Sequence, residues 1–345
     1  MAKTAGKLLQ PILLCIIAIS LVGCSVSNDP EIHHINGPTM GTWYNVKFQA
    51  LTKQQTPSQV KAGIDQLLAD INQKMSTYID DSELSVFNAV PPSREMPLSE
   101  ETLAVLTISQ QVHRESQGAF DITIGPLVNL WGFGPKGNRE SPPTNQEIAQ
   151  AKNLLGADSL VLGESQALKL KPVTIDLSAV AKGYAVDRVS QYLESSGIDH
   201  YMVEVGGEIR VGKRKLSGDA WKIAIEEPTE FERSIQKVLA LESISLATSG
   251  DYRNYFEKDG KRYSHTIDPR SGMPISHSLA SVTVLHRYSA FADAYATAIT
   301  VLGPKEGMAL AEKLNLAVYM LVKSKSGFEV LQTKSFSSYV DPSSI

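Results

Sequence analysis

The sequence predicts a mixed α+β fold (α/β in the broad sense), with mostly antiparallel sheets and helices packed against them. Two observations carry this. Up to about residue 197, helices with explicit start and stop residues predominate; beyond it the pattern turns to short alternating strands. The later helices are grouped together rather than interleaved one per strand, which favours helices on antiparallel sheets.

Taken in order, residues 42–48 alternate apolar and polar positions, as a half-buried strand does. Thr56-Pro57-Ser58-Gln59 combines an N-cap Thr, a Pro at the first helical position and a Gln at the third. The helix it opens runs to about Met75, with Ile64, Leu67, Leu68 and Ile71 on one face. A second helix begins near Ser99 and carries Glu100 and Glu101 in its first turn, where the helix dipole favours acids. It runs to about Ser116, with Gly118 just beyond. Thr144-Asn145-Gln146-Glu147 is a capping box for a helix that stops before Gly156. Strands follow near 159–162, 167–170 and 173–176, then a helix over 178–194 with Gly197 as its terminator. Residues 201–205, 209–211, 221–226, 237–244, 279–285 and 316–322 read as extended, with helices over 289–301 and 304–314 between the last two. No short internal repeat is evident, and the polar stretch 135–144 reads as an exposed loop.

The N-terminus reads as a targeting segment. A basic start with Lys3 and Lys7 precedes an apolar run from Leu8 to Val22, broken by Gln10, Pro11 and Ser20. The run is too short and too interrupted for a good spanning helix. Leu21-Val22-Gly23-Cys24 looks like a bacterial lipobox, so residues 1–23 are expected to be a signal peptide and Cys24 the lipidated first residue. Acyl chains would then hold the protein on a membrane surface of the bacterial envelope, facing the periplasm. Ser25 after Cys24 weakly favours the outer membrane, and the choice of membrane stays open. Residues 24–36 read as a polar tether and 37–345 as one domain.

Removing the first 23 of 345 residues leaves 322, enough for a large core. With Cys15 lost and Cys24 lipidated, the mature body has no thiol, which excludes disulfides, thiolate metal sites and cysteine nucleophiles. The mature chain has 31 Lys and Arg against 37 Asp and Glu, a charge of −6, so nucleic acid is not an expected partner.

The segment from Gly118 to Pro135 is the least explained by folding alone. It holds four Gly and two Pro in eighteen residues, more special backbone positions than one regular element tolerates. Trp131 and Phe133 sit among the glycines, where backbone and aromatic faces can approach a flat ligand. Asp121 follows directly on a helix end, as a polar anchor on a rigidly held loop or a structural Asp in a core-lining one. Asp293 and Thr297, four apart in a helix, place two oxygens on one face. Such a pair can share a hard cation such as Mg²⁺, or simply make a solvated pair. Asp176 ends a strand and precedes a helix start with Lys182, which suits a diphosphate or ordinary capping. The segments 247–255 and 264–272 look like polar turns; His265 lies near Asp268 and can take a proton or serve as a hydrogen-bonded structural residue. Gly132-Phe133-Gly134-Pro135-Lys136-Gly137 imitates a dinucleotide fingerprint but lacks the preceding strand and the following helix. There is no phosphate-loop motif and no His-Glu-x-x-His.

Together these segments resemble the ApbE family, flavin transferases that move FMN from FAD onto a protein. The resemblance extends from Thr39-Met40-Gly41-Thr42 to the 316–322 strand, with 119–135, 176–184, 247–255 and 264–272 its most specific parts. It implies a T-fold-like architecture and the reaction FAD + protein threonine → FMN-protein + AMP. It implies that Met40, Tyr78, Ala119, Phe120, Asp121, Asp176, Lys182 and the Ile267 region line the FAD pocket. It implies Mg²⁺ held by the Ala179 carbonyl, Asp293 and Thr297, with His265 near the reacting phosphate. Ala296 stands where some relatives carry a further Asp, leaving one or two metal ions open. The family's acceptors are subunits of flavin-carrying membrane redox complexes, such as sodium-pumping NADH:quinone reductase and Rnf-type complexes. Two other readings compete: an FAD pyrophosphatase releasing FMN and AMP, and a non-catalytic FAD-binding lipoprotein.

Overall fold

The structure is a computed structural model that describes residues 31–50, 56–134, 141–228, 234–250, 255–258 and 261–340. Its centre is an eight-stranded sheet: β1 (His33–Thr39), β2 (Thr42–Gln49), β3 (His200–Val205), β4 (Glu208–Val211), β5 (Ile244–Gly250), β6 (Leu279–His286), β7 (Ala317–Ser324) and β8 (Gly327–Gln332). These strands lie side by side in chain order and every neighbouring pair is antiparallel. Hairpins join β1 to β2, β3 to β4 and β7 to β8. Helical segments enter between β2 and β3 and between β6 and β7, so two strands, helix and two strands occur twice along the chain. The predicted α+β class holds.

The helices are α1 (Pro57–Met75), α2 (Glu83–Ala89), α3 (Glu100–Glu115), α4 (Gly125–Leu130), α5 (Asn145–Lys152), α6 (Ala181–Ser195), α7 (Ser289–Lys313) and α8 (Lys334–Ser337). The capping boxes at Thr56 and Thr144 and the Ser99 N-cap form as predicted. One sheet face buries Tyr44, Val46, Phe48, Val203, Val205, Val282 and Val284 with the long helices. On the opposite face Leu246, Leu285, Tyr319 and Leu321 pack with α8 and a hairpin of Trp221–Glu226 and Ile235–Leu241. Strand β7 contributes to both cores, so its residues 317–322 are all apolar rather than alternating.

Two contacts fix α6 against α7. A Cβ at Gly183 would lie 2.4 Å from the Ser289 carbonyl oxygen, so α6 can carry no side chain where the backbone of α7 crosses it. One turn on, the buried Asp187 accepts the N–H groups of Ser289 and Ala290, each at 2.9 Å, and caps α7 from the neighbouring helix. The two predicted helices 289–301 and 304–314 are the halves of α7, broken at Gly303 with φ 76°. Pro304 has no N–H to give the Thr300 carbonyl. His277 Nε2 donates to that carbonyl instead, at 2.9 Å. His277→Ala should therefore destabilise the protein by about 1–3 kcal/mol, the usual cost of an orphaned buried acceptor, measured by urea unfolding.

Four expectations need correction. His33–Asn36, placed in the tether, belong to β1; Gly37 and Pro38 hide the strand signal, and an edge position tolerates them. Residues 173–176 are not a strand: the Asn88 side-chain amide bonds the Ile175 N–H and C=O in place of a neighbouring strand. The extended run 237–244 ends at Leu241; after a turn in which Ser243 has φ 51°, β5 starts at Ile244 and runs to Gly250, into positions that read as a polar turn. Helix α6 begins at Ala181 rather than 178, after a turn in which Asp176 Oδ1 accepts the Ser178 N–H at 2.9 Å. The sequence reading also passed over α2, α4, α8 and β8. The leader, most of the tether and Cys24 lie outside the described residues.

Candidate active site

A cavity of about 470 Å³ opens where several parts of the chain meet. These are the β3–β4 turn, the end of β5, the start of α6, the first half of α7, and the segments after α3 and around His265. Val205 pairs with Glu208 across a two-residue turn of Gly206 and Gly207, both with positive φ, which suits a tight hairpin. The turn delivers Glu208 to the cavity wall beside the first turn of α6.

Most of the sequence-derived residues come together here. Tyr78, Ala119, Phe120, Asp121, Asp176, Ala179, Lys182, His265, Ile267, Asp293 and Thr297 all line the one cavity. Met40 does not: it sits at φ 49° in the β1–β2 turn and packs, partly buried, on the main core. Trp131 also turns away, buried in a satellite core with its indole N–H on the Gly272 carbonyl at 2.9 Å. Of that aromatic pair Phe133 faces the cavity, edge-on to His265 with ring centroids 6.3 Å apart. Tyr78 is 76% exposed and presents a flat face to the cavity.

The segment carrying Asp121 is rigidly held. Gly118, with φ 80°, turns the chain out of α3, and His113 Nδ1 donates to the Phe120 carbonyl at 2.8 Å. Asp121 Oδ1 accepts the Thr123 N–H at 2.7 Å and its hydroxyl at 2.6 Å. Asp176 likewise accepts from the Ser178 N–H and hydroxyl, so both acids shape local turns.

The inner end is electrostatically crowded. Lys182 Nζ lies 2.9 Å from Glu208 Oε1 and 3.7 Å from Asp293 Oδ2, and Asp293 Oδ2 also accepts the Gly183 N–H at 3.0 Å. Burial opposes the Lys182 charge, but Asp293 and Glu208 outweigh it and hold the ammonium well above the usual lysine range. Burial, reinforced by Asp293, pushes Glu208 up to about 8, against an opposing pull from Lys182. A carboxyl raised in the fold stabilises it fully below its unfolded value and loses that contribution as pH rises. For Glu208 the loss spans pH 4.5 to about 8. The Glu208→Gln variant should lack this dependence. Melting curves in chelator should therefore show it gaining on the native protein across that window, by an amount on the order of a few kcal/mol at the upper end.

Glu208 is the member that sequence reasoning missed. Its signal was present in Val205-Gly206-Gly207-Glu208, a two-glycine turn that puts a carboxylate at the first position of a strand. Among the described residues no group of three His, Cys, Asp or Glu stands together as a metal cluster. A cation here would rely on one carboxylate, one hydroxyl and one carbonyl, from Asp293, Thr297 and Ala179. That all-oxygen set fits a hard ion such as Mg²⁺, which keeps several other ligands from water or phosphate. Phe120, Ile122, Ile124, Val128 and Phe133 add apolar surface to the lining.

An antiparallel sheet with helices on it, and a cleft lined by charged groups and apolar rings together, define an α+β protein with a ligand-sized cavity. The chain belongs to the ApbE family, whose pattern matches residues 40–320. It is 42% identical over 321 residues to a Vibrio cholerae FAD:protein FMN transferase, covering 93% of this chain and 96% of that one. It is 40% identical over 342 residues to the Haemophilus influenzae FAD:protein FMN transferase, covering 96% and 97%. Among solved structures, the flavin transferase ApbE from Vibrio cholerae superposes with a TM-score of 0.84 at 42% identity, covering 90% of this chain and 99% of that one. The apo flavinyl transferase ApbE from Pseudomonas stutzeri gives 0.84 at 38% identity, covering 90% and 97%.

Proposed function

We propose that this chain is an FAD:protein FMN transferase that works with Mg²⁺ and joins FMN to a threonine hydroxyl through a phosphoester. Family membership supports the transfer, and the observation that carries the site assignment is the convergence of Lys182, Asp293, Thr297 and His265 on one cavity. In the reaction the threonine oxygen bonds to the FMN phosphorus. The bond from that phosphorus to the AMP oxygen breaks, and AMP leaves with the bond pair. Bound Mg²⁺ would offset charge on the phosphate oxygens. Asp293, Thr297 and the Ala179 carbonyl would hold it; Lys182 would place a fixed positive charge beside the diphosphate. His265 would take the threonine proton. Phe120, Phe133 and Tyr78 offer aromatic surface to the isoalloxazine ring.

The acceptor is a separate protein, of the kind found in flavin-carrying membrane redox complexes such as sodium-pumping NADH:quinone reductase and Rnf-type assemblies. A lipid on Cys24 would hold the enzyme at the envelope membrane, facing the periplasm, where tethering raises its concentration near such subunits. Among the described residues no helix is long and apolar enough to cross a membrane. The test is in-gel flavin fluorescence of a denatured acceptor subunit after incubation with enzyme, FAD and Mg²⁺. Fluorescence on the acceptor, lost with chelator, supports transfer. Free FMN and AMP with a dark acceptor would point to a pyrophosphatase, and intact bound FAD to a binding protein.

A further inference from the structure

Lys182 has two carboxylates within ion-pair reach and hydrogen-bonds one of them. Its ammonium is 2.9 Å from Glu208 Oε1 and 3.7 Å from Asp293 Oδ2, a difference of 0.8 Å. Both acids are more than nine-tenths buried, with side-chain exposures of 6% and 7%. A slight swing of the lysine would seat its ammonium on Asp293, where a divalent cation must compete with it for the same oxygens. The β3–β4 turn opposes that swing twice. Gly206 makes room for the lysine stem, since a Cβ there would lie 3.1 Å from Lys182 Cδ. Two residues on, Glu208 supplies the acceptor. Its other oxygen, Oε2, is buried without a hydrogen-bond partner among the described residues. Burying a carboxyl so incompletely satisfied is unfavourable for folding, and the bond to Lys182 is the return the structure shows for it.

We propose that Glu208 is a positioning residue: it holds the Lys182 ammonium off Asp293, leaving that carboxylate open to a divalent cation and the ammonium directed at the ligand's phosphates. The inference rests on the reading that Asp293 takes part in holding a cation. It separates two roles for Glu208, as an acceptor that fixes the lysine and as a negative charge that attracts metal. Glu208→Gln keeps the acceptor and removes the charge. Glu208→Ala removes both.

The experiment is Mn²⁺ binding to the purified protein without FAD, followed by the loss of free-ion electron paramagnetic resonance signal. Glu208→Ala should weaken Mn²⁺ binding by about tenfold or more, while Glu208→Gln stays within about threefold of the native protein. Adding Lys182→Met to Glu208→Ala should bring affinity back to the native value or tighter, because the competing ammonium is gone. Native affinity in Glu208→Ala would overturn the proposal, as would a double variant as weak as the single one, or a Gln variant as weak as the Ala variant. If Glu208→Ala does not fold, Glu208→Asp takes its place; one methylene shorter, it should also weaken binding, and native affinity would overturn the proposal. If the native protein binds Mn²⁺ no better than Asp293→Asn does, the cation reading itself fails and the inference falls with it, a result distinct from native binding that Glu208 does not affect.

Discussion

Asp293→Asn is expected to lower FMN transfer by roughly 10²–10³-fold or more, the scale seen when a fixed stabiliser of transition-state charge is removed. The variant should keep its fold. Asn retains an oxygen for the Gly183 N–H, which Asp293 Oδ2 now accepts at 3.0 Å, so the α6–α7 contact survives. Asp293→Ala would be a poorer test. It would leave that buried N–H unpaired, at about 1–3 kcal/mol, and mix stability with chemistry. The check is the initial rate across a Mg²⁺ series with a parallel melting curve. Native turnover with a native Mg²⁺ dependence would remove Asp293 from the metal assignment.

His265→Ala has the second-largest expected effect, a fall of roughly 10²–10⁴-fold in the transfer step with FAD affinity changed only a few-fold. The imidazole meets Phe133 edge-on at 6.3 Å, a contact of modest energy. Single-turnover transfer and quenching of flavin fluorescence on binding separate the two quantities. Equal losses in both would make His265 a binding residue rather than the proton acceptor.

Much of this site was legible because its residues sit in local patterns. Asp293 and Thr297 share a helix face through spacing alone, and helix starts at Thr56, Ser99 and Thr144 are written in cap residues. What sequence reading missed depends on non-local contacts. Glu208 gains meaning only when β4 lies beside the first turn of α6, 26 positions back in the chain. Residues 173–176 look like a strand until Asn88, 87 positions away from Ile175, replaces the ladder. Trp131 was read as ligand-facing because Gly and aromatic residues are adjacent, but its N–H reaches Gly272 and its ring fills a satellite core. The strand at His33–Thr39 carries Gly37 and Pro38 and needs its partner β2 to be seen. The break in α7 was the opposite case: Gly303-Pro304 announced it, and only the rescue by His277 required the structure.

The most direct measurement is intact-mass and peptide-mapping mass spectrometry of an acceptor subunit incubated with the enzyme, FAD and Mg²⁺, with and without chelator. A mass gain equal to FMN minus water, mapped to one threonine and abolished by chelator, is the predicted result. An acceptor of unchanged mass in the presence of consumed FAD would contradict it.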